Sequence, residues 1–531
     1  MNYKFKMENL STALRLLKPN YYMSTIDLKD AYYAVPIHKD SKKFLRFNWD
    51  NQIYEFQCLP FGLCTAPRVF TKLMKVVVTY LRKQGVILVI YLDDILIAAS
   101  SYAICKRYVS LTVDTLTRLG FLINWEKSRI KPGQVVKFLG FGIDTHAMKI
   151  FLPPDKIQKA FTRIANMLKL KVFTIQCLAE LIGFLIAISP AIPYSMLHTK
   201  SLERLKVSAL YRNDKNFNAT TALDQTQKSD LLWWLSALKN PSNPIHNDSY
   251  VLEIFSDASL KGWGAFCRDQ SISGVWNSEE RNLHINQLEL LAAYYGLRSF
   301  ANSIENCQIL LKIDNTCALH YINRMGSIKF THLHSVTEKI WNFASDRKLW
   351  LKASYISSSE NVMADYASRN INLETEWTLS SNAFLEITTE FGLPEIDLFA
   401  SYNNAKCSIF ASWKPDPMST YVDAFTIKWD LFSYIFPPFN LISRVLNKMF
   451  TDSSHCIVVV PNWESQPWFP LFMSMLASKL IKFGPTNDLL TCNFSRHPLR
   501  KSLILMAGIL CGNAGREEGC KNQQCKFYSH H

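Results

Sequence analysis

Residues 86–100, VILVIYLDDILIAAS, form an apolar stretch broken only by two adjacent aspartates, Asp93 and Asp94. Its β-branched and aliphatic residues favour strands on both sides of the pair, so the stretch reads as a hairpin with acidic residues at its turn. A carboxylate drawn into such surroundings costs several kcal/mol unless something pairs with it. A second aspartate, Asp27, sits in another apolar, β-prone run, STIDLKDAYYAV. A strand bringing Asp27 beside the hairpin would gather carboxylates around hard divalent cations. A solvated turn is the alternative, because aspartate favours turns in general.

The chain has 531 residues, 48% hydrophobic and 19% charged, which excludes a disordered or fibrous protein. At about 150 residues per domain this is three or four domains. Its net charge of +15 is uneven: residues 1–250 carry 34 Lys and Arg against 18 Asp and Glu, residues 251–370 carry 12 of each, and residues 371–531 carry 13 against 14. The excess therefore lies in the first half, as in a region that binds nucleic acid, or in a basic domain with no polyanion partner. Charges cut every apolar run below the length of a membrane span, and the first residues show no secretory signal. We expect no membrane partner and an intracellular location, with the 13 scattered cysteines reduced.

Expected boundaries follow from pattern. Residues 1–150 mix strand-like runs with helical ones; residues 151–248, opened by Pro153 and Pro154, read as helical and end in the polar stretch NPSNPIHNDS. Residues 250–370 run from strands into alternating helices and strands, a mixed sheet with helices on its faces. Residues 371–512 are a less defined α/β segment, and residues 513–531 a polar tail. The fold class is α+β, multidomain.

The motifs IDLKDAYYAVPI, LPFGLCTAPRVFTKLM and YLDD, in that order, resemble the polymerase palm of retroelement reverse transcriptases. The resemblance implies a palm followed by a helical thumb and connection, and an RNA-directed DNA polymerase acting on an RNA or DNA template-primer with deoxynucleoside triphosphates. It implies that Asp27, Asp93 and Asp94 hold two Mg²⁺ ions, with Mn²⁺ as an alternative. It further implies that Asp30 and Ala31 meet the triphosphate through their backbone, that Tyr32 stacks under the sugar, and that Phe61 and Gly62 face the incoming nucleotide. Lys127, in LTRLGFLINWEKSRI, would lie near the triphosphate. Core packing is the other reading of Tyr32 and Phe61, and a solvated turn that of Lys127. In the family, basic fingers precede the first aspartate; only 26 residues precede Asp27 here, with Lys4, Lys6, Arg15 and Lys18 among them. Most of the fingers are therefore expected to be missing, and polymerisation to suffer.

Further on, SDAS, HINQLELLAA, IDNTCALHYI and SSSENVMADYASR resemble the RNase H domain of retroelement polyproteins. This implies that Asp257, Glu289, Asp314 and Asp365 hold two Mg²⁺ for cleavage of the RNA strand of an RNA/DNA hybrid, with Asn315 near the minor groove. Taken singly, each acid also reads as a cap or surface residue. Many members carry a His before the fourth acid, where Tyr355 and a serine run stand here. His284 and His320 read as packing or surface residues.

Residues 371–531 resemble the extension that follows RNase H in DIRS-type retrotransposons, through EIDLFASYNN, SWKPDPMSTYVDAF and YIFPPFNLISRVL. That extension has been likened to adenine methyltransferases, which place a polar residue before Pro-Pro-aromatic. Here the run is Phe436, Pro437, Pro438, Phe439, so a structural or interaction role is expected. Cys520, Cys525, His530 and His531 are too loosely spaced to be assigned a metal. The whole reads as part of a DIRS-type or Ty3/gypsy-like polyprotein, with other element-encoded proteins as partners. A non-polymerising nucleic-acid-binding relic, or RNase H activity alone, are the alternatives.

Overall fold

The acidic apolar run does fold as a hairpin. The computed structural model describes residues 5–246, 248–370, 377–492 and 495–512, and the chain divides into two units, Met1–Ser249 and Tyr250–His531.

In the first unit β1 (Tyr22–Lys29) is followed by a two-stranded ribbon, β2 (Arg46–Trp49) and β3 (Gln52–Glu55), and by helix α1 (Ala66–Lys83). Then come β4 (Ile87–Tyr91), β5 (Asp94–Ala99), α2 (Tyr102–Arg118), β6 (Leu122–Ile123) and β7 (Arg129–Gly133). The sheet order is β4-β5-β1-β6, with β7 also paired to β1. Phe70, Met74, Val77 and Leu81 of α1 recur at helical spacing and pack with Leu88, Ile95 and Ile97 on one face of the sheet. On the other face Val89, Leu96 and Ala98 meet Val136, Phe138 and Ile143. Both faces are covered, which is why β5 is continuously apolar where a one-faced strand would alternate. Each fully buried Leu or Ile there contributes roughly 1.5–3 kcal/mol.

The unit continues with β8 (Val135–Phe138), β9 (Phe141–Asp144) and β10 (Lys149–Phe151), joined by β11 (Ser242–Pro244) in the order β11-β10-β9-β8. Between β10 and β11 lie helices α3 (Pro154–Lys169), α4 (Ile175–Ile188), α5 (Lys200–Arg212) and α6 (Gln225–Ala237). Pro154 opens α3 where a missing N–H costs nothing, and Asp224 with Gln227 closes a capping box on α6. Ile164, Leu181, Leu185 and Trp234 form their shared core.

The second unit begins with a five-stranded sheet of order β14-β13-β12-β15-β16: β12 (Leu252–Ala258), β13 (Gly262–Cys267), β14 (Gln270–Val275), β15 (Gln308–Ile313) and β16 (Trp350–Tyr355). The first three are antiparallel neighbours, whereas β12, β15 and β16 run parallel. Helices α7 (Ile285–Ala301), α8 (Thr316–Asn323), α9 (Thr331–Asp346) and α10 (Val362–Arg369) accompany it.

The region beyond residue 376 has more order than its sequence pattern promised. After α11 (Ser381–Phe391) a seven-stranded sheet runs β19-β18-β17-β20-β21-β23-β22. Its strands are β17 (Ile396–Asp397), β18 (Ile409–Ser412), β19 (Tyr421–Val422), β20 (Ser433–Ile435), β21 (His455–Pro461), β22 (Ile481–Phe483) and β23 (Leu505–Cys511). Helix α12 (Ile442–Asp452) joins β20 to β21. The strands β17 to β21 pair in parallel, and β23 is antiparallel to both its neighbours. Along β21, Val458 and Val460 enter one core and Ile457 and Val459 the other. A strand buried on both faces shows no alternation, and strands of two or three residues are too short to show any period. No described helix is long and apolar enough to cross a membrane.

Candidate functional site

Two groups of carboxylates stand at strand ends, one in each unit. In the first, β1 and β5 pair so that Asp27 faces Asp94, and β4 and β5 pair so that Tyr91 faces Asp94. Leu92 and Asp93 are thus the two-residue turn. Leu92 takes φ 55°, a left-handed conformation that costs a non-glycine residue about 1 kcal/mol or more. It leaves Asp93 exposed at the tip and Asp94 half-buried on the strand. Burial, then Asp93, then Asp27 push the Asp94 carboxyl up to about 6, and Lys127 acts in the opposite sense. The backbone around Asp27 is tied down: its N–H donates to Ser128 Oγ at 2.9 Å, and its carbonyl accepts from Asn124 N at 2.9 Å.

Asp30, at φ 53°, precedes the short 3-10 helix Ala31–Ala34. Tyr32 is buried against Phe70 and Phe61, with ring centroids 5.4 and 5.1 Å away. Burial and the nearby Asp93 raise the Tyr32 hydroxyl above its ordinary range. Phe61 is 61% exposed, and Gly62, at φ 89°, faces open space. Lys127 is exposed, with its charge felt at Asp94.

In the second unit Asp257 lies on β12, Glu289 on α7 and Asp314 just after β15. These three offer ligand atoms all within 4.8 Å of one another. Burial, then Asp257 and Asp314, push the Glu289 carboxyl up to about 9. Its Oε2 is buried without a hydrogen-bond partner. Asp257 is likewise raised by burial, against a hydrogen bond from Ser368 Oγ at 2.6 Å. Ser358 Oγ donates to Asp314 Oδ2 at 2.8 Å. A carboxylate set this tight, with one oxygen orphaned, fits a divalent cation, which would cancel the repulsion and occupy the free oxygen.

Asp365 stands apart from the three: its Oδ1 is 2.5 Å from Arg369 Nη2 on the same helix, although its charge still reaches Asp257. Asp27, Asp93 and Asp94 also form no such group among the described residues. Asn315 caps α8 through Ala318 N at 2.9 Å and donates to Asn286 Oδ1 at 3.0 Å, and His284 caps α7. Ser128, Ser358 and Ser368 were not foreseen as contributors. A serine three residues after Asp365 and a serine run before it were the only signals, and neither names its partner. Ser368 reaches Asp257 because α10 lies directly on β13: a Cβ at Gly264, which pairs with Asp257, would fall on the Ala364 carbonyl and Ser368 N. In the extension, Phe436 to Phe439 leave β20 where the strand order turns back from β17, and Phe439 meets Trp463 at 5.2 Å. Cys520, Cys525, His530 and His531 lie outside the described residues.

Residues 3–143 match the family described as Reverse transcriptase (RNA-dependent DNA polymerase), and this stretch is a reverse transcriptase domain. The chain is similar to the putative enzymatic polyprotein of Cassava vein mosaic virus, 25% identical over 400 residues that cover 70% of this chain and 56% of the relative. The enzymatic polyprotein of Cauliflower mosaic virus (strain Strasbourg) is 23% identical over 69% of this chain and 53% of its own length. The chain thus spans about half the length of the curated relatives it matches. Among solved structures, the foamy viral protease-reverse transcriptase in complex with RNA/DNA hybrid aligns with 66% of this chain and 46% of its own, at 18% identity and TM-score 0.40. Its complex with dsDNA aligns with 67% and 72%, at 18% identity and TM-score 0.41.

Proposed function

We propose that this chain is an RNA-directed DNA polymerase that also cleaves the RNA strand of RNA/DNA hybrids, within a DIRS-type or Ty3/gypsy-like retroelement polyprotein. The observation that carries the polymerase reading is the register that sets Asp27 opposite Asp94 at a hairpin tip, inside the matched reverse transcriptase domain. Asp27, Asp93 and Asp94 would hold the Mg²⁺ ions there, which when bound supply Lewis-acid activation of the primer 3′-hydroxyl and of the triphosphate. The chain's own part is placement. Tyr32, backed by Phe70, would stack under the sugar, the exposed Phe61 ring and open Gly62 would face the incoming nucleotide, and Lys127 would offer a charge for phosphate.

For hybrid cleavage Asp257, Glu289, Asp314 and Asp365 would hold the cations. The basic first half supplies the attraction to phosphate, which is independent of sequence. Primer extension on an RNA template tests the first activity: the chain extends, and its Asp93→Asn, Asp94→Asn double variant does not. Failure of both, with duplex still bound, overturns it. One observation favours RNase H activity alone as a second reading: among the described residues, only the second unit's acids are gathered within 4.8 Å. It requires hybrid cleavage lost in Asp314→Asn and no primer extension by the unaltered chain.

A further inference from the structure

Glu289 is held differently from its neighbours. The side chain of Ser368 tethers Asp257 and that of Ser358 tethers Asp314, while Glu289 has a backbone hydrogen bond from Ala258, its Oε2 is buried with no partner, and both aspartates repel it. No side chain tethers that carboxylate, so its place depends on the helix that carries it as well as on the Ala258 bond.

The inner side of α7 presses on the sheet so closely that a Cβ at Gly296 would lie 2.9 Å from Ala265 Cβ and 3.3 Å from Ile254 Cγ2. Contact on one side fixes a helix's distance from a sheet, but not its tilt. Another side of α7 meets the extension. Tyr295, six residues and about 9 Å along the helix from Glu289, donates its hydroxyl to the buried Glu280 and packs at 5.8 Å against the ring of Tyr402. The Tyr402 hydroxyl accepts from Asn277 Nδ2 at 3.1 Å, and Asn277 N donates to Glu280 at 3.0 Å, so the loop leading into α7 joins the same network. One turn further, Arg298 Nη1 lies 3.1 Å from Met418 Sδ. The extension's half of the seam is itself rigid: Asp416 accepts from the backbone N–H of Tyr402 at 2.9 Å, Met418 at 2.8 Å and Ser419 at 3.2 Å.

We propose that Tyr402 and Asp416 are positioning residues, through which the C-terminal extension braces α7 and sets the place of Glu289 in the acidic cluster. The loops that follow β17 and β18 thus serve the neighbouring site. The activity part of this inference rests on the RNase H reading; the metal-binding part does not.

The test uses the full chain carrying Asp93→Asn and Asp94→Asn, so that metal bound by the first unit does not interfere. Hybrid cleavage is measured against Mg²⁺ and substrate concentration, and Mn²⁺ binding is measured by calorimetry as the part lost in Asp314→Asn. Tyr402→Ala is expected to lower kcat about tenfold with KM for the hybrid nearly unchanged, and to weaken Mn²⁺ binding about tenfold. Tyr402→Phe, which keeps the ring, should restore most of both. If Tyr402→Ala fails to fold, Tyr402→Leu, which also lacks the ring and the hydroxyl, replaces it with the same outcomes: weakened Mn²⁺ affinity supports the brace and unaltered affinity overturns it. A folded Tyr402→Ala protein with unaltered kcat and Mn²⁺ affinity overturns the brace while leaving the RNase H reading intact. If the parent chain cleaves no hybrid, that reading falls, and Mn²⁺ affinity alone decides the brace: weakened in Tyr402→Ala supports it, unchanged overturns it.

Discussion

Asp397 shows how burial at a strand end moves the acid–base behaviour of a single carboxylate. It ends β17, is 2% exposed, and accepts backbone N–H bonds from Phe399 at 3.2 Å and Lys406 at 3.0 Å. Burial nevertheless outweighs these bonds and pushes it from 3.8 to about 6. A folded-state pKa raised above the unfolded one gives stability that is complete below about pH 4 and lost as pH rises through about 6. Two pKa units correspond to about 3 kcal/mol. In denaturant titrations, the loss between pH 4.5 and 7 should therefore be smaller in Asp397→Asn than in the parent by an amount of that order; equal losses refute it. For Asp257, Glu289 and Asp314 the matching expectation concerns metal. Mn²⁺ at about 100 times its dissociation constant stabilises by about 2.7 kcal/mol. This should raise the melting temperature by about 5 °C or more, and the rise should vanish in Asp314→Asn. Carboxylates in apolar runs were legible because so few environments tolerate them, and Asp257, Glu289 and Asp314 do converge. The serine tethers were not legible, because they depend on how closely a loop or helix approaches a strand; the Asp365–Arg369 pair has the i,i+4 spacing of one helix, but spacing alone did not show that it would set Asp365 apart from the other three acids.

At the scale of elements, α10 and β13 touch at Gly264, where backbone meets backbone. Gly264→Ala should cost about 1–3 kcal/mol, as overpacking does, and should slow hybrid cleavage by drawing Ser368 away from Asp257. Thermal unfolding and cleavage assays on one preparation check both. Normal stability with normal cleavage would mean that the helix yields without consequence. The β4–β5 hairpin could be read from sequence because two charges in an apolar run mark its turn. The seven-stranded sheet could not, since β17 and β19 have two residues each and β21 is buried on both faces.

On the scale of the molecule, charge is segregated: 34 basic against 18 acidic residues up to residue 250, and near balance beyond. Duplex affinity should fall at least tenfold between 50 and 200 mM salt, as release of several counterions requires. Fluorescence anisotropy with a labelled hybrid measures it, and affinity independent of salt would contradict binding through phosphate. That asymmetry was visible in composition alone. The brace between the extension and α7 was not, because Tyr402 and Tyr295 are 107 residues apart and no local pattern links them.

The placement of β23 bears on how the chain is made. It is the last described strand in sequence, yet it lies between β21 and β22, and its register with β21 runs from His455↔Cys511 to Pro461↔Leu505. A nascent chain still short of residue 505 leaves β21 and β22 without the strand that joins them, and their apolar edges open. The extension therefore closes only after residues 505–511 have been made, well after the strands and helices bearing Asp257, Glu289 and Asp314. Until then α7 goes unbraced, so the acidic cluster waits for a strand that follows Asp314 by about 190 residues.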